Sequence, residues 1–290
     1  MEYNTVAELL ELADKHDMQL WEVVLAHECS ISECDRETVF YKLRHRYEVM
    51  RHSAEKALKS RLSTVGGLIE GVSSGQYYYA SEVGGISGSF VNLIMSRALS
   101  CSEVNAAMGE ICAAPTAGAC GIIPAVLISV AEKYELDEDE ALQGLLTASG
   151  IGAVITKNAT VSGAEGGCQA ECGVAAAMAA AAAVQMAGGS REASVHAVSF
   201  ALMNCMGLAC DPVAGLVQVP CAQRNASQAV NAIISADLAL AGMKSIIPCD
   251  EVIDAMYRTG KMMPMQLKET AMGGIAASPT AKKISKEIFN

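Results

Sequence analysis

Aromatic side chains are scarce in this sequence: four Phe, one Trp and eight Tyr make up 4% of 290 residues. The core must therefore come from Ala, Val, Ile, Leu and Met. Charge is thin, at 18%, and positive charge is the scarcer sign, leaving a net charge of -11. That deficit works against binding nucleic acid, where phosphates must be neutralised. It also works against an anionic membrane surface, and it favours solubility. Long apolar runs are missing. The most apolar stretch, Val174 to Ala187, is mostly alanine and too short to span a bilayer. The opening MEYNTVAELLELADKHD is charged and periodic, which predicts no secretory signal.

Cysteine, in contrast, is plentiful. Eleven of them, an odd number without a secretory signal, predict reduced thiols in the cytoplasm. In that setting a cysteine set reads as metal-binding or catalytic sooner than disulfide-forming, although most of the eleven must be small apolar core residues. Hydrophobic residues reach 51%. Small residues let helices approach closely, and alanine is the best helix former. The expected fold is mainly α: a helical catalytic domain with a central buried hairpin and Gly/Pro-rich active-site loops. The expected division is a helical arm over residues 1–62 packed on a core of residues 63–290, or a single domain overall.

The chain is organised around Gly166 to Ala226. Cys168, Cys210 and Cys221 lie there, spaced by 42 and 11 positions. Between the first two, Gly188-Gly189-Ser190 interrupts an apolar segment. This predicts a helix from Gln169 to Ala187, a tight turn, and a second helix from Arg191 to Leu208. Arms of about 18 residues, about 27 Å each at 1.5 Å per residue, return Cys210 to the end where Cys168 began. Cys221 follows a loop marked by Pro212, Gly215 and Pro220, which cannot be regular helix.

Elsewhere, Thr5 to Glu8 has the form of a capping box. A second helical pattern covers Leu20 to Ala26, a polar break spans Glu28 to Asp35, and a charged helix runs from Arg36 to about Leu62. Glycines from Gly66 to Gly88, around Tyr77-Tyr78-Tyr79, predict a broken segment. Helices are expected over Phe90–Leu99, Ser102–Ile111, Ala125–Tyr134 and Ala222–Met243, with another opened by Asp137 and Glu140. Pro248 and Pro264 should each start a short helix before a polar tail. Two segments could offer donors to an anion: the loop Cys112 to Pro124, and the polar stretch Gly150 to Gly167, holding Lys157, Asn158, Ser162 and Glu165. Met108–Gly118 and Met206–Gly215 echo each other, which would set two similar loops against one site.

The thiols allow more than one chemistry. Zinc usually takes four ligands in Cys-x2-4-Cys pairs, and only Cys168 and Cys172 approach that spacing. Three thiolates can hold a [4Fe–4S] cluster with one iron left open as a Lewis acid. Spacing alone equally allows three packed core cysteines. A pyridoxal-phosphate enzyme using Lys157 as a Schiff base is disfavoured, because the strand–helix alternation with a phosphate loop is missing. A helical subunit without catalysis is a further alternative.

The strings EGGCQAE, MGLACDPVAGLVQVPCAQRNA and SEVNAAMGEICAAPTAGACGIIPA resemble, over essentially the whole chain, the α chain of bacterial iron–sulfur L-serine dehydratase. The resemblance implies a [4Fe–4S] cluster on Cys168, Cys210 and Cys221, without pyridoxal phosphate. It implies a lyase that removes water from L-serine to give pyruvate and ammonia; L-threonine or L-cysteine are the alternative substrates. Thr116, Gly118, Asn158, Ser162, Arg224 and Asn225 are the expected substrate-binding residues. Lys157 is the candidate base, and no firm base is assigned. Thr116 could instead cap a helix, and Asp211 could orient its loop. Single-chain relatives carry a domain with a Ser-Ser-His-Thr type loop that has no counterpart here. The five histidines, His16, His27, His45, His52 and His196, read as surface or core. A β subunit is therefore expected as partner in a hetero-oligomer. The tail Lys-Glu-Ile-Phe-Asn lacks the C-terminal cysteine by which some relatives close the cluster.

Overall fold

Nine consecutive buried residues, Ala175 to Ala183, carry no side chain larger than Met178. A helix so thinly clad can be approached from every side, and the architecture follows from that. The computed structural model describes residues 1–289. The front of the chain forms α1 (Val6–His16), α2 (Leu20–Ile31) and α3 (Arg36–Lys56). Next come α4 (Val72–Tyr78), continued by a π-turn to Val83, then α5 (Gly88–Ala106), α6 (Ile122–Lys133) and α7 (Glu138–Asn158). A short turn, α8 (Gly163–Gly166), and a π-turn (Gln169–Gly173) lead into α9 (Val174–Met186) and α10 (Arg191–Asn204). α11 (Cys221–Leu240), α12 (Cys249–Met262) and α13 (Pro279–Phe289) follow. Among the described residues the one β pairing is an isolated bridge between Cys210 and Lys268. No described helix is long and apolar enough to cross a membrane.

α9 is the central post, with α6, α7, α10 and α11 packed around it. The hairpin turns where expected: Gly188 takes φ 76°, and Ser190 caps α10 by accepting the Ala193 N–H at 3.1 Å. The front helices join the same hydrophobic cluster through Val6, Leu9, Val24 and Met50. Thr5 caps α1, but the reciprocal carboxylate of Glu8 accepts the N–H of Asn4, one residue before the cap.

Several expected boundaries are corrected. No break separates Leu99 from Ser102: α5 runs through, because Ser100 donates to the Ser53 carbonyl and accepts the Ala57 N–H, and Ser102 donates to the Ala98 carbonyl. These hydroxyls are satisfied inside a packed helix, so they do not signal a loop. The polar stretch does not begin at Gly150, since α7 continues to Asn158. Gly150 and Gly152 are packing glycines: a Cβ would sit 2.3 Å from Val24 Cγ2 in the first case and 2.6 Å from Met178 Cε in the second. α2 runs on to Ile31 and α3 stops at Lys56, six residues short of Leu62. Tyr77 to Tyr79 lie within helix, and the polar tail forms α13, whereas Pro264 opens only a 3-10 turn over Met265–Leu267.

Close approach has a testable consequence. A Cβ on Gly121 would lie 2.4 Å from the Ala98 carbonyl oxygen, which is backbone and cannot step aside. Gly75, inside α4, has nothing within 4 Å of its missing Cβ. Urea denaturation should show Gly121→Ala destabilised by about 1–3 kcal/mol and Gly75→Ala stabilised by about 0.5–1 kcal/mol. Equal midpoints for the two variants would contradict the packing described.

Candidate metal centre

Cys168 sits between the turn of α8 and the helix that becomes α9. Gly167 just before it takes φ 77°, and a Cβ there would lie 2.8 Å from the Leu208 carbonyl oxygen. That crowding marks the junction with the chain approaching Cys210. Gln169 fastens it: its backbone N–H donates to Leu208 O at 3.1 Å, and its buried side chain accepts the Gly207 N–H at 2.8 Å. The same amide donates to the carbonyls of Gly166 and Met256, each at 3.0 Å.

Cys210 lies in a loop with no helix of its own. Its N–H donates to Leu267 O at 2.8 Å, and its carbonyl accepts the Glu269 N–H at 2.7 Å. Asp211 beside it accepts the Ile275 N–H at 2.6 Å and pairs with the Arg224 guanidinium at 2.8 Å. Arg224 also donates to the Ala209 carbonyl at 2.7 Å. One cation thus grips both neighbours of Cys210 while standing three positions past Cys221 on α11. Cys221 is the first residue of α11, and the Gln218 amide accepts the Leu68 N–H at 3.2 Å to anchor the loop before it. Cys168 and Cys221 therefore stand at helix starts, where the local dipole favours a thiolate.

The three thiols sense one another. Burial pushes Cys221 up to about 12, with the charges of Cys168 and Glu171 adding to the rise. Cys210 is likewise pushed up by burial, and then by Cys168, Glu171, Glu269 and Cys221. Cys168 goes the other way: the Cys172 thiol donates to its sulfur, which outweighs burial, and Arg224 draws it down further. Among the described residues no three His, Cys, Asp or Glu side chains close on a single metal ion. A polynuclear cluster, with its metals at separate corners, asks for a wider ring of thiolates. Gly163 packs closely against one of them: a Cβ there would lie 3.1 Å from Cys210 Sγ, 3.1 Å from Glu171 Oε2 and 3.3 Å from Glu269 Oε2.

The other expected site residues divide. Thr116 donates to Glu171 Oε1 at 2.5 Å, without capping a helix by its side chain. Gly118 is required there, since its Cβ would fall 2.4 Å from the same oxygen. Asn225 donates to Gly118 O at 2.7 Å and accepts the Gly121 N–H at 2.9 Å, so α11 grips the loop of residues 112–124. Ser162 leads into α8, its N–H donating to Thr160 Oγ1 at 3.2 Å. Lys157 and Asn158 are exposed at the end of α7, and both side chains bond to Asn4 of the front segment rather than to the thiol centre. Sequence reasoning gave no role to Glu171, although it stands one turn past Cys168 within EGGCQAE. Burial raises its pKa, the Thr116 bond opposes that, and Glu269 adds to the rise. Glu269, in the left-handed region at φ 60°, was also missed; nothing in its local sequence marks it.

The family described as serine dehydratase alpha chain matches residues 15–276. The L-serine dehydratase alpha chain of Peptoniphilus asaccharolyticus is 48% identical over 286 residues, covering 99% of this chain and 98% of that relative. A probable L-serine dehydratase alpha chain of Bacillus subtilis (strain 168) is 45% identical over 287 residues, covering 99% and 95%. The L-serine dehydratase TdcG of Escherichia coli (strain K12) is 35% identical over 292 residues, covering 95% of this chain but 62% of the relative. With its thiol loops and its Thr116–Gly118 turn inside the matched residues 15–276, the chain belongs to the serine dehydratase alpha chain family.

Proposed function

We propose that this protein is the α chain of an L-serine dehydratase, a carbon–oxygen lyase giving pyruvate and ammonia, and that Cys168, Cys210 and Cys221 hold a [4Fe–4S] cluster. The observation that carries the cluster is the bonding that draws the three cysteine segments together: Gln169, next to Cys168, is bonded to Gly207 and Leu208, and Arg224, three positions past Cys221, holds Ala209 and Asp211 on either side of Cys210. When bound, the cluster would supply an open iron as Lewis acid toward the substrate hydroxyl. The chain's own part is to hold and orient. Asn225 fixes the Thr116–Gly118 turn, which with Ser162 faces the substrate. Arg224 and Asn225 are themselves taken up by backbone carbonyls and Asp211, so their part is to shape the loops.

A separate β chain completes the enzyme in this proposal. This chain matches 98% of the α chain of Peptoniphilus asaccharolyticus but only 62% of the L-serine dehydratase TdcG, which supports a partner supplying the remainder. We place the enzyme in the cytoplasm, where eleven free cysteines stay reduced.

Anaerobic reconstitution with iron and sulfide, followed by a pyruvate assay on L-serine with and without the β chain, tests the whole reading. A brown iron–sulfur absorption band and serine-dependent pyruvate are expected. Absence of pyruvate from cluster-loaded protein with β chain present would refute the activity. Cys168→Ala, Cys210→Ala and Cys221→Ala should each abolish cluster uptake, whereas Cys205→Ala, at a buried thiol bonded to the carbonyls of its own helix, should keep it. Uptake surviving any of the three would remove that residue from the ligand set. Arg224→Ala leaves the Ala209 carbonyl and Asp211 without their partner, and should weaken cluster retention about 10–100-fold, the range for residues that support metal ligands. Iron analysis after gel filtration reads this directly.

A further inference from the structure

Of the eleven cysteines, seven are buried and four are half-buried. Among those four, Cys221 belongs to the thiol centre and Cys112 to the loop that leads to Thr116. Cys29 and Cys34 remain, and both lie at the end of α2. We propose that these two form a dithiol–disulfide redox site, closed by exchange with small disulfides, outside the thiol centre and independent of the serine reading.

The closing turn of α2 brings them together. Glu33 takes φ 49°, and the Cys34 N–H turns back to donate to the Cys29 carbonyl at 3.2 Å. A helix that ends through one left-handed residue sets the side chains on either side of this bond in contact. The same turn recurs in the fold with apolar pairs: Ala13 and Met18 at the end of α1, Ala131 and Leu136 at the end of α6. At the end of α2 both places are cysteine. Standard bond lengths on either side of the hydrogen bond keep the two α-carbons within about 7 Å even if laid out straight, and a turn is shorter. Disulfides span roughly 4.4–6.8 Å between α-carbons. Both side chains pack against the hydrophobic cluster, so both face inward from the turn.

Burial first, then the charges of Cys34, Asp35 and Glu28, push the Cys29 thiol up. The thiolate is the attacking form, so the exchange starts from Cys34. As thiolate, Cys34 attacks one sulfur of a small disulfide, whose S–S bond breaks and releases one small thiolate. Cys29 then gives up its proton and attacks the Cys34 sulfur of the mixed disulfide, releasing the second. The protein loses two electrons and two protons; the small disulfide gains both and becomes two thiols. In a reducing cytoplasm the pair stays open, and it closes as small disulfides accumulate.

The test equilibrates the full chain, reduced beforehand and kept anaerobic, in buffers of glutathione and glutathione disulfide, and then alkylates the remaining thiols. Trypsin cuts after Lys15 and Arg36, so one peptide, His16 to Arg36, carries both cysteines and no other. Mass spectrometry should find that peptide two hydrogens lighter, unalkylated and free of glutathione, and dithiothreitol should reverse the change. The fold should favour closure: the equilibrium constant should be about 5–150-fold higher in native buffer than in urea, the usual size of a coupling between two equilibria. A constant no higher in the folded chain overturns the proposal and leaves the pair as a packing contact. A peptide that carries two alkyl groups or two glutathiones in every buffer overturns it as well. Cys29→Ser should trap Cys34 as a mixed disulfide with glutathione; full alkylation of Cys34 instead would remove its part as the attacking thiol. The same variant should take up iron and sulfide as the wild type does. Lost uptake would tie the pair to the thiol centre and overturn its independence.

Discussion

The molecule depends on one constraint: three segments far apart in sequence must meet in a buried place, each with its own backbone polar groups satisfied. A sheet would meet that demand with a ladder. Here a few polar side chains do it, each reaching across to a foreign segment. Gln169 binds the chain before Cys210 and α12 at once. Arg224 binds both sides of Cys210 from α11. Asn225 binds the loop before α6, and Gln218 binds the segment near Leu68. Removing any of them leaves buried donors or acceptors unpaired, which costs far more than the bond contributes when made.

The alanine-rich hairpin makes those reaches short. A post of Ala175 to Ala183 lets the backbones of its neighbours come near, and glycines at the crossings remove the last side chains in the way. Met178 fills against Gly152, and Met186 against Gly144. The scarcity of aromatics belongs to the same design: bulky rings would hold the helices apart and carry the loops beyond the span of an amide or a guanidinium.

This separates what could be read in the sequence from what could not. The hairpin was legible because alanine composition and a Gly-Gly-Ser turn are local signals. The return of the chain before Cys210 to the end where Cys168 stands was legible from arm lengths, and Gln169 bonds to Gly207 and Leu208 there. Helix limits failed where a residue's job was tertiary. Gly150 looked like a breaker but accommodates Val24, and Ser100 looked like a loop residue but serves the end of α3. Lys157 looked like site chemistry because it was polar near the first cysteine, yet α7 carries it to the front segment. Glu171 went unseen for the opposite reason: nothing local says that Thr116, 55 positions earlier, will meet it.

The three thiols are not held alike. Cys168 and Cys221 stand at the starts of helices, positioned by long packed elements whose dipoles favour the thiolate. Cys210 hangs in a loop, tied on one side by Arg224 and on the other by a single bridge to the segment around Lys268. That covering segment has only 3-10 turns and few buried side chains, the features of a region that opens at lower cost than the core. The centre thus combines two rigid corners with one whose cover is weakly fastened. That division would suit the proposed function, in which a cluster is held firmly while a small amino acid enters beside it.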